Sequence, residues 1–545
     1  MRLKPWYSKT FLSSLAFILL LSISWSQVPV PPAPPLPPPI GAPPPLQPAV
    51  LPPLPALADQ YAKGIVFSDK NNNGIFDKTD RGIEKVAVSN GKDIVLTDEA
   101  GRYSIPADDD CVIFIIKPIH YISPTDKNNF PQFYYINKPK GSIPSLKYPG
   151  IPPTGPLPKE INFPLYNNGE GNDNLILLGD VQVRNIQEIE YFGKAFVPEL
   201  SDCGGDFVCT LGDNAFNDLS VYPALKDTMG AIGRPVFFLP GNHDINFDVP
   251  NDEGASESYK ASFGPSYYSF NWSGCHIVML DDVNYLGKEE QYKAGLGRKQ
   301  LEFLLNDLRM INPYTTVILM MHIPITEWPK EEKDLVFKEL LRFQNKMVVS
   351  GHTHNQSYQY LGKEDGWMGP KPLFHLNQGT ACGTFWSGIP DEFGIPISLM
   401  SDGTPKGYSL VYFNYEPIVT YKIPNRPADY QMNIYAPKSI PAPELATTDI
   451  LVNIFTGSDR TKAEMYIDNQ QPGILMEKTL AKDPGVIRQL AFEKNLNTKL
   501  FESNEWIKDC SHLWKANLPV NLTPGAHTLE IAADHYHAKT IFWVK

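Results

Sequence analysis

The chain has 545 residues and a formal net charge of −12, with an isoelectric point near 5.5. A chain of this length exceeds what one hydrophobic core can organise, so about three domains are expected. The acidic balance argues against a nucleic-acid-binding surface, which is usually basic, and no nucleic-acid partner is expected.

Residues 1–26 have the organisation of a secretory signal peptide. Arg2, Lys4 and Lys9 precede an almost wholly apolar run from Phe11 to Ile23. This run is shorter than the roughly 20 residues that span a membrane, which favours cleavage after Ser26 over an uncleaved anchor. We therefore predict an exported protein that is periplasmic, on the outer surface or secreted. Residues 27–60 are rich in proline and are predicted to form an extended linker.

The rest of the chain alternates between two kinds of pattern. Residues 61–168 and 449–545 contain short apolar runs typical of β-sandwich strands. Residues 169–420 alternate apolar strands with helical stretches, such as the amphipathic segment from Gln300 to Met310, which indicates an α/β domain. Residues 421–448 are proline-rich without clear periodicity and are predicted to be a second linker.

The first β-rich segment contains a candidate calcium loop. Oxygen-bearing side chains recur at alternate positions between two predicted strands, around Gly74, which permits a sharp turn. The candidate ligands are Asp69, Asn71, Asn73, Asp77 and Asp80. The spacing predicts calcium binding, although the closing carboxylate belongs to Asp rather than the usual Glu. A metal-free hairpin rich in Asn and Gly is the alternative.

None of the cysteines has the spacing of a zinc site. Cys203 and Cys209 flank a short glycine-rich loop and are the best candidates for a disulfide in an exported protein.

Five apolar strands of the central segment end in groups that bind metals. They run into Gly-Asp-Val-Gln at 179–182, Gly-Asp-Asn at 212–214, Gly-Asn-His-Asp at 241–244, a histidine at 322 and Gly-His-Thr-His at 351–354. Ligands of open α/β sheets bind at such strand ends. Carboxylate, amide and imidazole groups suit hard to borderline divalent metals. Each motif is weak alone, but together and in this order they indicate a metal site.

This order of motifs resembles the calcineurin-like metallophosphoesterase superfamily, and the flanking segments resemble those of its exported bacterial members. The resemblance covers about Asn174 to Asn414. It implies a four-layered αββα domain. The expected fold class is therefore an α/β (α+β) metallophosphoesterase domain flanked by two all-β sandwich domains.

The resemblance also implies two divalent metal ions and their ligands. Asp180 and His354 would hold the first ion, and Asp213 would bridge both. The second ion would be completed by Asn242, His322 and His352. Gln182 stands where the family usually has histidine, and an amide oxygen is a harder, weaker ligand. The metals are therefore left open among Fe, Mn and Zn.

The implied chemistry is hydrolysis of phosphate esters. Two close divalent ions convert a bridging water to hydroxide at neutral pH. His243 would protonate the leaving oxygen or bind the phosphate. Asp244 would orient His243, or alternatively cap the next helix. A phosphatase is preferred, and a phosphodiesterase acting on nucleotides or lipid head groups is the alternative.

An alternative of another class is a surface-binding protein with a decayed catalytic domain. Its two β domains and proline-rich stalk would suit adhesion to glycans or protein, and hence association with a cell surface. The oligomeric state is not indicated. Four aromatic residues near the motifs are predicted to pack in the core, with pocket lining as the alternative: Trp328, Trp367, Phe385 and Trp386. His375 and Asn377 are predicted to make core hydrogen bonds, with support of the metal ligands as the alternative.

Overall fold

The computed structural model describes residues 60–167, 174–414, 416–496 and 506–545, all within one compact unit, Ala49–Lys545. The predicted signal peptide and all but the last residue of the predicted linker at 27–60 lie outside the described residues. Among the described residues, no helix is long and apolar enough to cross a membrane.

The N-terminal domain consists of two small β-sheets. One sheet has the order β2-β1-β9-β7 with β5 also paired to β1, and the other has the order β4-β3-β6-β8. The strands are β1 (Tyr61–Ser68), β2 (Arg81–Gly82), β3 (Ala87–Ser89), β4 (Ile94–Leu96), β5 (Arg102–Pro106), β6 (Cys111–Ile116), β7 (Tyr121–Ile122), β8 (Tyr134–Asn137) and β9 (Phe163–Asn167).

The central domain is built on two larger sheets, in the orders β12-β11-β10-β21-β22 and β13-β14-β17-β18-β20-β19, with β15 and β16 forming a separate hairpin. Its strands are β10 (Asn174–Leu178), β11 (Phe207–Thr210), β12 (Val236–Phe237), β13 (Tyr268–Trp272), β14 (Cys275–Met279), β15 (Val283–Lys288), β16 (Gln291–Ala294), β17 (Thr316–Met320), β18 (Lys346–Ser350), β19 (Ser357–Leu361), β20 (Leu373–Asn377), β21 (Tyr408–Asn414) and β22 (Glu416–Lys422). Its helices are α1 (Ile186–Asp202), α2 (Tyr222–Gly230), α3 (Glu257–Phe263), α4 (Gly297–Met310) and α5 (Lys330–Leu340).

Alternation along β10 shows how the layers of the central domain pack. Leu175 and Leu177 join a core cluster shared with the second sheet and with α4 and α5. Ile176 and Leu178 point the other way, into a cluster that contains Phe192 of α1 and residues of α2. Because successive side chains of a strand face opposite sides, one apolar strand can bind a sheet on one face and helices on the other. This arrangement is the expected αββα order.

The C-terminal domain again has two sheets, in the orders β23-β25-β29-β28 and β24-β31-β30-β26-β27. Its elements are β23 (Met432–Tyr435), β24 (Ser439–Ile440), β25 (Asp449–Ile454), β26 (Ala463–Ile467), β27 (Ile474–Leu475), β28 (Glu477–Lys482), α6 (Pro484–Asn495), β29 (Asp509–Asn517), β30 (Gly525–Ala533) and β31 (Tyr536–Val544). The fold class expected from sequence, an α/β domain with β-rich domains on both sides, is confirmed.

Two finer predictions need correction. The segment 421–448 is not a plain linker, because β23 pairs with β25 and β24 pairs with β31. Its short strands were hidden among prolines, and their edge positions tolerate such neighbours. Cys203 and Cys209 form no disulfide: the Cys209 thiol is buried within β11, while the Cys203 thiol donates to the Leu200 carbonyl at 3.5 Å.

Candidate metal centre

The five motif-bearing strand ends meet at one place in the central domain. β10, β11 and β12 run parallel in one sheet, and β17 and β18 run parallel in the other. The carboxyl ends of parallel strands lie at the same edge of a sheet, so the residues that follow them converge. Asp213, His322 and His352 place ligand atoms within 4.8 Å of one another. It is the only such set of three or more acidic, imidazole or thiol groups among the described residues.

Three glycines make this convergence possible. A Cβ atom on Gly241 would lie 2.1 Å from Asp213 Oδ1, and one on Gly351 would lie 2.5 Å from Asp180 Oδ1. A Cβ atom on Gly212 would lie 2.5 Å from His322 Nδ1. Only glycine therefore lets each loop come this close to its neighbour's ligand side chain.

The backbone at the centre is also strained. Asp180, Gln182, Asp213, His352 and His354 all have positive φ, between +20° and +71°. Non-glycine residues enter this region at a cost of roughly 1–3 kcal/mol each, and such residues concentrate at functional sites. With this backbone conformation, the side chains of these residues converge on one point.

Hydrogen bonds fix which nitrogen each histidine presents. His322 Nδ1 lies 2.8 Å from the Leu211 carbonyl oxygen, and His354 Nδ1 lies 2.6 Å from the Gly383 carbonyl oxygen. A carbonyl can only accept, so each Nδ1 carries its proton and donates. Nε2 is therefore the atom that each ring directs into the cluster, 3.3 Å from Asp213 Oδ1 for His322 and 3.4 Å from Asp180 Oδ2 for His354. This is the orientation that metal-binding histidines adopt.

Asp213 lies in the middle of the set. Its Oδ2 atom accepts from Gln182 Nε2 at 3.1 Å, and its Oδ1 atom accepts from the backbone N–H of His243 at 2.9 Å. On one side Asp180 accepts from the His352 backbone N–H at 3.1 Å. On the other, Asn242 Oδ1 lies 3.0 Å from His322 Nε2, which lies 3.1 Å from His352 Nδ1. All seven predicted metal ligands therefore belong to one connected group.

Burial and charge oppose each other in this group. Burial raises the pKa of Asp180 to about 7 and lowers the pKa of His354 to about 4. Burial would lower the pKa of His322 as well, but the carboxylates of Asp213, Asp180 and Asp282 raise it to about 10. The buried carboxylates are stabilised by a neighbouring positive charge, which here is the proton held by His322. A bound cation would supply that charge instead of the proton. The donor set fits the divalent metals expected from sequence.

His243 lies at the border of the cluster and stays partly accessible. Its side chain is 17% exposed, and Nε2 is 4.0 Å from Asp213 Oδ2. Its Nδ1 atom lies 2.6 Å from Asn217 Oδ1, and its ring stacks on Phe216 at 4.3 Å between centroids. An amide oxygen accepts, so Nδ1–H donates and Nε2 faces the cluster. Asn217 is a positioning residue that no sequence motif indicated.

The Asp244 carboxylate bonds to other groups and Asn217 holds His243 Nδ1, so the predicted role of Asp244 in orienting that histidine is wrong. The carboxylate is fully buried and accepts from the backbone N–H groups of Asn214, Ala215 and Gly241 at 2.9–3.0 Å. It also accepts from the Tyr222 hydroxyl at 3.0 Å. Asp244 therefore joins the loop after β11 to the loop after β12, and its effect on the site passes through the backbone.

Two further residues brace the histidine loops. Asp282, buried after β14, accepts from the backbone N–H groups of His322 and Ile323 and from Trp328 Nε1 at 2.8–3.1 Å. Asn377 donates to the Thr353 hydroxyl at 2.5 Å, between the two histidines at 352 and 354. No sequence motif indicates Asp282. Asn377, which is predicted to make core hydrogen bonds, instead supports the loop of the ligands. His375 has the core role predicted, since Nε2 lies 2.9 Å from the Ser350 hydroxyl.

Of the four aromatic residues predicted to pack, three do. Trp328, Trp367 and Trp386 are buried. Phe385 is half-buried, and its ring lies 4.7 Å from that of His354. Phe385 therefore lines the site, which was the alternative reading.

The candidate calcium loop lies apart, between β1 and β2. Asp69 accepts from the backbone N–H groups of Asn73 and Gly74, and Asp80 accepts from those of Lys70 and Asp77. The amides of Asn71 and Asn73 donate to Asp77 Oδ2 at 2.8 and 3.1 Å. The five predicted ligands thus share one loop, and they already satisfy one another and the backbone. Calcium binding there stays a prediction.

Three family models match the chain. The model of the N-terminal part of calcineurin-like phosphoesterases matches residues 70–147, the calcineurin-like phosphoesterase model matches 174–356, and the model of the C-terminal part matches 375–540. The chain belongs to the calcineurin-like phosphoesterases. All seven predicted metal ligands of this phosphoesterase lie within the residues matched by the second model.

Solved structures of low similarity were also found. A dimetal phosphatase from Danio rerio has 14% identity and a TM-score of 0.32, covering 47% of this chain and 97% of that chain. PhoD has 11% identity and a TM-score of 0.36, covering 73% and 90%. GAP50, the anchor in the inner membrane complex of Plasmodium, has 15% identity and a TM-score of 0.30, covering 46% and 85%. No curated protein matches the chain.

Proposed function

We propose that the protein is an exported dinuclear-metal phosphoesterase that hydrolyses phosphate monoesters. One observation carries the proposal: two carbonyl-held histidines direct Nε2 toward two buried carboxylates, Asp180 and Asp213, in a chain of the calcineurin-like phosphoesterases. A decayed site would have no reason to keep this orientation together with the strain of five ligand residues.

The ligands divide into two groups that share Asp213. Asp180, Gln182 and His354 would hold one divalent ion, and Asn242, His322 and His352 would hold the other. Two such ions, whether Fe, Mn or Zn, would supply an activated water and neutralise the charge of the phosphate. Asp282 and Asn377 would keep the His322 and His352–His354 loops in place while the substrate binds.

His243 would act on the leaving group. It is the one histidine of the site that is both partly exposed and outside the ligand set. The Asn217 amide oxygen holds Nδ1–H, so a proton on Nε2 would point toward the cluster, where the ester oxygen departs. The alternative role predicted from sequence, binding of the phosphate itself, uses the same Nε2 atom.

Metal analysis and hydrolysis assays test the proposal. The purified protein, reconstituted with Mn, Fe or Zn, is expected to hold about two metals per chain. It is expected to hydrolyse phosphate monoesters faster than diesters. A preference for diesters of nucleotides or lipid head groups would favour the phosphodiesterase. A chain without bound metal or hydrolysis would favour the surface-binding protein.

Export rests on the sequence of residues 1–26. Fractionation of cells that express the full chain, followed by N-terminal sequencing, should find a protein that begins at Gln27. Retention on washed cells through the β domains would indicate a cell-surface location, and recovery in the medium would indicate secretion.

A further inference from the structure

A row of aromatic rings runs outward from the metal cluster. Phe216 stacks on His243, and its ring lies 5.5 Å from that of Phe385. Phe385 lies 4.7 Å from His354 and 4.7 Å from Trp506, whose ring is 6.1 Å from His354. The row therefore connects the predicted proton donor, a predicted metal ligand and the C-terminal domain.

These three rings are partly accessible, whereas most aromatic side chains of the central domain are buried. Phe216 and Phe385 are half-buried, and Trp506 is 38% exposed. Apolar rings that are incompletely buried beside a polar site keep accessible surface for contact with another molecule.

Phe385 is held in place at a conformational cost. Its φ is +58°, and the next residue, Trp386, has φ +51°. Bulky residues rarely adopt this conformation, and it persists only where the surroundings enforce it. Arg184 donates to the Phe385 carbonyl at 2.6 Å, and Trp386 Nε1 donates to the Val181 carbonyl at 2.8 Å. Both contacts tie this turn to the loop that carries Asp180 and Gln182.

The segment that follows Trp506 is hydrogen-bonded, through Ser401, to the loop that carries His354. Two residues on, the Lys508 backbone N–H donates to the Ser401 carbonyl at 3.0 Å. The Ser401 backbone N–H in turn donates to the His354 carbonyl at 3.0 Å. The C-terminal domain therefore brings Trp506 to the site through the same loop that supplies His354.

We propose that Phe216, Phe385 and Trp506 form a subsite for the planar aromatic group of an aryl or nucleoside phosphate. The inference rests on the proposed function, since the phosphate of such a ligand would lie at the metal cluster. Phe216 and Phe385 lie within 5 Å of His243 and His354, respectively. The alcohol part of an ester whose phosphate lies at the cluster would therefore extend toward these rings. Aromatic side chains bind planar rings by stacking, with little dependence on the identity of the ring.

Inhibition by phosphonates, which cannot be hydrolysed, tests the subsite without any contribution from leaving-group chemistry. The measurement is the ratio of inhibition constants for methylphosphonate and phenylphosphonate on the metal-loaded enzyme. We expect phenylphosphonate to bind at least about tenfold more tightly, within the range for one stacked ring. Trp506→Ala and Phe385→Leu should each lower this ratio at least about fivefold. The phosphonate analogue of adenosine monophosphate supplies a second arm: tighter binding than phenylphosphonate identifies a nucleoside, and weaker binding identifies an aryl group.

Two matched variants serve as controls. Trp543→Ala removes a tryptophan of the same domain that is 56% exposed, and Phe393→Leu removes a phenylalanine that is 52% exposed. Both should keep the wild-type ratio, and melting temperature and metal content confirm that each variant is folded and loaded.

The aromatic subsite and the proposed function would be overturned by different results. A metal-loaded, active enzyme with a ratio near one, or with ratios unchanged in Trp506→Ala and Phe385→Leu, would overturn the aromatic subsite alone. A wild-type protein that neither binds metal nor hydrolyses any phosphate ester would overturn the proposed function.

Discussion

The metal cluster and the Asp69–Asp80 loop are two predicted cation sites built in opposite ways. The loop takes all its oxygen ligands from neighbouring residues, and Asn71 and Asn73 are exposed. Its carboxylates accept from the loop's own backbone N–H groups. The cluster draws its ligands from five distant strand ends, and only His352 of the seven is not buried.

The two sites differ in how far the surrounding protein already satisfies their carboxylates. Hydrogen bonds within the loop already engage its side-chain oxygens without a cation. In the cluster, the carboxylates of Asp180 and Asp213 are buried, and within the described part of the chain none of their contacts is a lysine or an arginine. Removing a ligand should therefore matter greatly in the cluster and little in the loop.

The largest effect is expected from Asp213→Asn. A neutral amide cannot bridge two cations as a carboxylate does, so metal binding should fall below two ions per chain and turnover should fall to background. Elemental analysis and steady-state rates measure both.

Asp307→Asn is the matched control for this substitution. Asp307 is another buried aspartate of the central domain, paired with His276 at 2.9 Å and outside the cluster. It should affect stability while leaving metal content unchanged. About two metals per chain with near-normal rates in Asp213→Asn would rule out the bridging role.

The next largest effect is expected from His243→Ala, which should keep both metals and slow the reaction by about 10²–10⁴-fold, as for the loss of a general acid. The loss should shrink for aryl phosphates, whose leaving groups need little protonation. Rates across a series of leaving groups measure this, with Asn217→Ala expected to show the same trend to a smaller degree. Equal losses for good and poor leaving groups would assign His243 to phosphate binding.

A smaller effect is expected from Gln182→His. Gln182 Nε2 contacts Asp213 and its Oε1 atom lies 3.4 Å from the Cys382 thiol, so position 182 faces the cluster. Imidazole binds late first-row metals better than an amide oxygen does. The substitution should tighten the first site, most for zinc, and competition titrations measure the shift. An unchanged metal preference would mean that Gln182 is not a ligand.

The smallest effect on activity is expected from Asp69→Ala combined with Asp80→Ala. If the loop binds calcium, wild type should be stabilised by about 3 kcal/mol at a calcium concentration 100 times the dissociation constant. The double variant should lose this gain while hydrolysis is unchanged, as followed by thermal melting with calcium or chelator.

Asp98→Ala is the control for the loop, because Asp98 also accepts from backbone N–H groups in a turn of the same domain. It should keep the response to calcium. Identical melting of the wild type with calcium and with chelator would make the loop a metal-free turn.

The alternation of apolar strands and helical stretches along the sequence predicts an α/β domain between β-rich segments, and the fold confirms it. This alternation is a local periodicity, so consecutive residues are enough to reveal it. The αββα layering and the metal ligands were implied by the resemblance to the calcineurin-like phosphoesterases, and the ligand set stays a prediction. The strands between residues 421 and 448 escaped because short edge strands carry little periodicity.

The hydrogen-bond and ring partners of the site residues depend on tertiary contacts. Asn217 rather than Asp244 holds His243, Asp282 braces the loop of His322, and Trp506 reaches the site from more than 100 residues beyond the last ligand. Asp244 and His243 are neighbours in sequence, but the Asp244 carboxylate instead accepts from buried backbone N–H groups of the loop that follows β11. These partners depend on which distant polar groups still need a hydrogen bond once the sheets have packed. They therefore cannot be predicted from neighbouring residues in the sequence.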